Sequence, residues 1–233
     1  DALPIYGQLY EGERTRITWS GKKLVFPTIP GSVASGSIVM TAGITGSVRG
    51  PKHKTADGKM IRPDLVIVDD PQTDESAGSI SQTETRVRIL TGALLGMAGH
   101  GKKIAGVMPC TVIRPGDMAD QILDSTSHPE WQGERFKMLE SLPTNTELWD
   151  AYREHFENGM REGVGLKYAT KFYEENRDAM DAGSVATWEH GFNADEVSAV
   201  QHAMNLKIRD ERSFWSEYQN DPLSEDTTTS KIE

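Results

Sequence analysis

The chain has 233 residues, and its 35 acidic side chains outnumber 25 basic ones, giving a net charge of −10. That balance excludes a general nucleic-acid-coating surface, whose footprint is basic, but leaves room for a local cationic strip. With 36% hydrophobic residues and a mean hydropathy of −0.52, no apolar run approaches the roughly 20 residues of a membrane helix. The first residues, Asp1-Ala-Leu-Pro-Ile5, lack the basic-then-apolar pattern of a secretory signal. Cys110 is the only cysteine, so an internal disulfide is excluded and a reducing compartment fits. None of the six histidines pairs with it at zinc-site spacing.

In chain order, Thr15–Trp19 alternates as a strand, Ser20-Gly21 turns, and Lys23–Pro27 begins a second strand. A Gly/Ser-rich loop follows, and Ser37–Ala42 is a third strand feeding the loop Gly43–Gly50. Strands that feed loops in this way imply an α/β sheet with its active edge on one side. Arg49 in that loop reads either as a surface cation or as a guanidinium placed to reach a phosphate. Pro51-Lys52-His53-Lys54 makes the neighbourhood locally basic, and Asp57-Gly58 turns the chain onward.

The stretch Arg62-Pro63-Asp64-Leu65-Val66-Ile67-Val68-Asp69-Asp70-Pro71 is the most informative. Leu65–Val68 is an unbroken apolar run, expected to be buried on both faces of a parallel sheet. It ends in two carboxylates, where open α/β sheets bind ligands. Apolar residues followed by paired acids are also the Walker B pattern, whose first acid helps to hold the Mg²⁺ of a nucleotide. The same residues read equally as a strand ending in a solvated Asp-Asp-Pro turn.

After the polar loop Gln72–Ser76, a helix is expected from Ser79 or Ser81, with Ser81 and Glu84 at capping-box spacing and Val87, Leu90 and Leu94 as its apolar stripe. Gly96-Met-Ala-Gly-His-Gly101-Lys102-Lys103 imitates a phosphate loop. Lys103 replaces the required Ser or Thr, and a helix precedes it where a strand should, so it is rejected as a Walker A. The strand Ile104–Met108 then leads to Cys110 and Thr111. Cys110 is expected as a small buried residue. Thr111 reads either as a γ-phosphate sensor or as a plain β-former. A helix opens at Arg114-Pro115-Gly116-Asp117.

Beyond residue 125 the texture becomes helical, after a last strand over 136–142. Leu148, Tyr152 and Phe156 mark one helix, and Tyr168, Phe172 and Met180 a second. Asn193 with Glu196 is expected to cap a third helix bearing Val197, Val200 and Met204. Phe214–Pro222 reads as a short amphipathic helix, and Leu223–Glu233 as a polar tail.

Taken together, Ser47-Val48-Arg49-Gly50, the stretch Arg62–Pro71, the strand ending at Thr111 and Trp215-Ser-Glu217-Tyr218-Gln219-Asn220-Asp221-Pro222 resemble the large terminase subunit of tailed bacteriophages. The likeness covers roughly residues 20–115 and 209–222. It implies an α/β fold with a mainly parallel sheet of the P-loop ATPase (ASCE/RecA-like) type, partial here, with a helical C-terminal subdomain. The implied division is an ATPase core portion over 1–125, a helical part over 126–222 and a linker or tail over 223–233. The resemblance further implies an ATP hydrolase driving double-stranded DNA into a procapsid, with Mg²⁺ and ATP as cofactors. Its partners would be the DNA, a portal protein, a small terminase subunit and sister subunits in a ring, with no membrane; its place would be the host cytoplasm, docked on the procapsid. By similarity Asp69 would be the magnesium ligand, Asp70 the acid that orients water, Thr111 part of the coupling motif and Arg49 an arginine finger. The family's Walker A lies upstream of this region, so the chain is expected to be a fragment that hydrolyses little on its own. The acid at position 70 is Glu in many relatives.

Two other readings stay open at this stage. A metal-dependent RNase H-like nuclease would use Asp69, Asp70, Asp74 and Glu75 as ligands, against which strand alternation keeps Asp69 and Asp70 from facing one metal pair unless the chain bends. A degenerate, non-catalytic module would use its acidic surface for docking.

Overall fold

The structure, a computed structural model, describes residues 9–44, 51–55 and 58–224. Arg49 and its neighbours Ser47, Val48 and Gly50 lie outside the described residues, as does most of the polar tail. The chain divides into two units, Asp1–Val66 with Ile89–Ala105, and Ile67–Arg88 with Gly106–Glu233.

In the first unit short antiparallel ladders dominate. Leu9–Tyr10 (β1) pairs with Glu13–Arg14 (β2) across the turn Glu11-Gly12. Thr18–Ser20 (β3), Lys23–Val25 (β4) and Ile38–Met40 (β5) form a three-stranded sheet in the order β3-β4-β5, with Trp19 opposite Leu24 and Leu24 opposite Val39. Ser20 and Lys23 close the hairpin, the Ser20 hydroxyl bonding both backbone groups of Lys23. His53–Lys54 (β6) pairs with Met60–Ile61 (β7). The three strands expected before residue 43 are present, but the sheet they form is antiparallel and thinly covered, with Trp19 66% exposed.

Leu65–Ile67 (β8) and Ala105–Val107 (β9) are the one parallel pair among the described residues. An amide from Ala105 reaches the Asp64 carbonyl, and beyond the strands Val68 N–H donates to Val107 O at 2.9 Å and Asp70 N–H to Pro109 O at 3.0 Å. Leu65 is 53% exposed and Ile67 64%, whereas Val68 is buried. The apolar run therefore covers one face only, which corrects the expectation of a strand buried on both faces. Among the described residues nothing covers the other face, and Leu65 and Ile67 stay exposed there.

Asp74–Ala77 (α1) opens on Thr73, whose side chain accepts from Ser76 N–H while the Ser76 hydroxyl bonds back to the cap. The capping box thus sits eight residues before the one expected at Ser81, which lies inside Ile80–Arg88 (α2). That helix continues as a π-helical turn over Ile89–Leu94, with Leu90 and Leu94 of the expected stripe buried. Met118–Ile122 (α3) starts as expected at Asp117.

The largest core lies in the second unit. Leu139–Ser141 (β10) pairs antiparallel with Val185–Ala186 (β11). Thr146–Arg161 (α4), Lys167–Met180 (α5) and Ala199–Arg209 (α6) bury Trp149, Tyr152, Phe156, Tyr173, Met180 and Met204, among others. Each such side chain contributes about 1.5–3 kcal/mol on burial. Trp149 and Tyr152 meet edge to face with ring centres 5.0 Å apart. On α5, of the expected stripe Tyr168, Phe172 and Met180, Met180 is buried and Phe172 packs against the core, while Tyr168 is 37% exposed and Tyr173 supplies the fully buried ring. Gly159 is required where α4 ends, because a Cβ there would collide with the Gly165 carbonyl. Asn193 N–H does bond the Glu196 carboxylate at 2.8 Å, but this closes a turn before the helix, and Ser198 is the cap of α6. Among the described residues no helix is long and apolar enough to cross a membrane.

Candidate functional site

Asp69 and Asp70 leave the carboxyl end of β8 with both side chains exposed. Asp70 has φ +38°, a left-handed conformation that Asp and Asn tolerate better than other side chains. The backbone bends there, so strand alternation does not separate Asp69 from Asp70. The argument that set the two acids on opposite faces holds for an unbent strand, and φ +38° at Asp70 is the bend it excepted.

What holds the bend is polar and buried. Pro71 accepts from the Arg86 guanidinium at 3.0 Å. Gln72 is 2% exposed, and its Nε2 donates to the Thr111 carbonyl and to Asp117 Oδ2, both at 2.8 Å. Two acceptors on one nitrogen fix the orientation of that amide. Among the described residues the other end, Gln72 Oε1, is buried without a hydrogen-bond partner. Asp117, 1% exposed, also accepts from the backbone N–H groups of Ile113, Arg114 and Asp120. A buried carboxylate with four donors is well compensated. Through Gln72 the turn after β8 and the turn after β9 are a single hydrogen-bonded unit.

Thr111 therefore lies beyond the carboxyl end of β9, alongside Gln72, and its carbonyl is the group the structure engages. Burial, followed by the negative charges of Asp117 and Asp70, pushes the Cys110 thiol up to about 11. Cys110 is half-buried, less than the full burial expected of it, and its raised pKa keeps it a neutral thiol at physiological pH.

The C-terminal motif closes the site from a third direction. After Glu211–Ser213 (α7) a π-helical turn over Phe214–Tyr218 carries Glu217. Burial raises the affinity of that carboxyl for its proton, and the charges of Asp74 and Asp70 raise it further, so Glu217 shares their field. The Gln219 side chain bonds Leu139 through both backbone groups, as a neighbouring strand would, accepting from its N–H at 3.0 Å and donating to its carbonyl at 3.2 Å. Asn220, at φ +49°, accepts from Val112 N–H and donates to the Phe136 carbonyl. Lys137 pairs with Asp221 at 2.9 Å. Gln219, Asn220 and Asp221 thus clamp the β9 exit and the segment that leads into β10.

The structure brings together Asp69, Asp70 and Thr111 and leaves Arg49 outside the described residues. Sequence reading missed Gln72, Asp117 and Glu217. Asp117 carried a helix-cap signal, but nothing in the spacing tied it to Gln72, 45 positions away.

Among the described residues no group of three or more His, Cys, Asp or Glu side chains is arranged to hold a metal ion by protein ligands alone. Mg²⁺ carried by one or two carboxylates together with substrate phosphates requires no such group, and the exposed carboxylates of Asp69 and Asp70 at a strand end fit that mode. Asp74 and Glu75, ligands in the nuclease reading, lie exposed in the first turn of α1. Comparison of the chain with protein-family models, curated proteins and solved structures returns no match in any of the three.

Proposed function

We propose that the chain is the ATPase portion of a large terminase subunit of a tailed bacteriophage, part of a motor that moves double-stranded DNA into a procapsid. The observation that supports this reading is the joined pair of strand ends: two acids after β8 and Thr111 after β9, on parallel neighbours, linked by Gln72. The expected P-loop ATPase sheet remains part of the proposal, since parallel pairing among the described residues is confined to β8 and β9.

In this reading Asp69 would hold Mg²⁺, which neutralises phosphate charge when bound. Asp70 would orient the attacking water and take up its proton, its bend turning the carboxylate out of the strand. Thr111, bonded through its carbonyl to Gln72, would pass any movement of the phosphate edge to the turn held by Asp117. Arg49 would act on a neighbouring subunit.

The test is ATP turnover by the intact gene product that carries this sequence. Asp69→Asn and Asp70→Asn are each expected to abolish it. Asn tolerates the backbone of residue 70, so the second variant removes charge and keeps the bend. Retained turnover in both variants would remove the pair from the reaction. The bend at Asp70 also favours one competing reading, the metal-dependent nuclease; Mg²⁺- or Mn²⁺-dependent plasmid nicking, lost in Asp69→Asn, would establish that reading in place of the motor.

A further inference from the structure

Charge is divided unevenly between the two units. The first, Asp1–Val66 with Ile89–Ala105, holds eleven Lys or Arg and five Asp or Glu, a net of +6; the second holds fourteen and thirty, a net of −16. Every residue of each unit enters these counts, Asp1 and Asp57 included, so the excess remains whichever of these groups pair with one another. The hairpin β6–β7 gathers part of it on one face. His53 Nδ1 lies 3.4 Å from Lys23 Nζ, and His53 stands opposite Ile61 in the ladder, both half-buried. Side chains alternate along a strand, so Lys52 and Lys54 take the other face. There Lys54 stands opposite Met60, and the same register carried one pair further sets Lys52 opposite Arg62. All four are exposed, Met60 at 51%. The Arg62 stem crosses Gly99: its Cδ lies 2.9 Å from where a Cβ on that residue would stand, and φ +83° there is a conformation open to glycine. Gly99 belongs to the loop Gly96–Lys103, rejected above as a Walker A, whose Lys102 and Lys103 are exposed. Five cations thus accompany one exposed methionine, and the acids that adjoin them in sequence are two, Asp57 and Asp64.

We propose that this face binds a single-stranded nucleic acid, with phosphates on the cations and a base on Met60. Side chains two positions apart on a strand stand about 7 Å from each other, a step comparable to that between successive phosphates of an extended nucleotide chain. Lys52 and Lys54 on one strand, and Arg62 beside them, supply charge at that spacing, and the guanidinium adds a fork of donors. Met60 decides between one strand and two. In a duplex the base faces are stacked inward, and an apolar side chain set among cations would meet only sugar and phosphate. In a single strand the bases are open to such a side chain. The strongly negative second unit repels a polyanion, which confines contact to the first. This binding depends neither on hydrolysis of ATP at Asp69 and Asp70 nor on movement of a duplex.

The experiment follows the anisotropy of a short fluorescent single-stranded DNA of mixed sequence as the full 233-residue chain is added, over a series of salt concentrations. The logarithm of affinity should fall against that of salt with a slope of about −0.7 for each phosphate contacted. Lys54→Gln and Lys102→Gln should each weaken binding about fivefold at about 0.1 M salt and flatten the slope by about 0.7, the share of one phosphate. Met60→Ser should weaken binding at an unchanged slope, because it removes a base contact and no charge. All three side chains are exposed, so an unchanged melting temperature is expected and separates lost contact from misfolding. Arg153→Gln, which removes an exposed charge from α4, should change nothing. The assignment is overturned by failure of the unsubstituted chain to bind, by affinity indifferent to both lysine substitutions, or by an equal loss in Arg153→Gln. It is overturned as well if unlabelled duplex of the same sequence competes as effectively as the single strand, or if Met60→Ser binds unchanged. None of these results alters the ATP-turnover test.

Discussion

The helical core around Trp149, Tyr152 and Tyr173 and the strand-end turns around Asp70 and Thr111 are held by different means. The core buries aromatic and apolar surface and satisfies its polar groups internally. Tyr152 donates to Asn205 at 2.7 Å, Asn205 to the Glu196 carboxylate at 2.8 Å, and Trp149 to the Met180 carbonyl at 2.9 Å. The turns bury two polar side chains, Gln72 and Asp117, and use them to fix backbone while leaving the carboxylates of Asp69 and Asp70 in solvent. Apolar burial is strong and insensitive to direction; hydrogen bonds are weaker in net terms but dictate geometry. Stability is thus concentrated in one region and orientation in the other.

Substitutions that separate these two roles sharpen the contrast. Trp149→Ala should cost about 3–5 kcal/mol of unfolding free energy, measured by urea titration, through a cavity and a stranded Met180 carbonyl. Any ATP turnover per folded molecule should be unchanged, and a loss there would break the division. Gln72→Leu should cost about 1–3 kcal/mol, because it leaves the Thr111 carbonyl without its side-chain donor and takes one donor from Asp117 Oδ2, which keeps those of Ile113 and Arg114. In the motor reading it also lowers kcat more than nucleotide affinity. Equal effects on both, or none, would reduce Gln72 to a packing residue.

The smallest effect concerns Cys110. An unfolded thiol ionises near 8.5 and the folded one at about 11, so the native state keeps its proton longer. The contribution of this group to stability is present below the lower value and is lost as pH rises through the upper one. Alkylation of Cys110 should accordingly stay slow at neutral pH and accelerate only in strongly alkaline buffer. Asp70→Asn should shift that rise to lower pH, because one of the charges opposing the thiolate is gone. An unshifted profile would place Asp70 too far away to matter.

Legibility in the sequence follows the same contrast. Helices α4 to α6 were readable because side chains recurring every three to four residues must share a face; on α5 the stripe found Phe172 and Met180 but not the buried ring of Tyr173. Strands β3 to β5 were readable as strands, but alternation says nothing about partners, so their antiparallel pairing was not. The apolar run at Leu65–Val68 was placed correctly on a strand with a parallel neighbour and incorrectly as a doubly covered one, since burial depends on layers that lie elsewhere in the chain. For the candidate site, the acids and Thr111 were visible as local motifs. Gln72, Asp117 and Glu217 were not, because their importance comes from partners dozens of residues away.

The stitching of Asn220 to Val112 and of Gln219 to Leu139 spans 108 and 80 positions. During synthesis on a ribosome, the loop beyond β9 emerges long before the amides that will secure it. Such distant closures are slow to form. A nascent polypeptide halted short of Gln219 therefore has its helices but lacks the fastening on the β9 exit, and this region acquires its final shape only when nearly all of the described chain has been made.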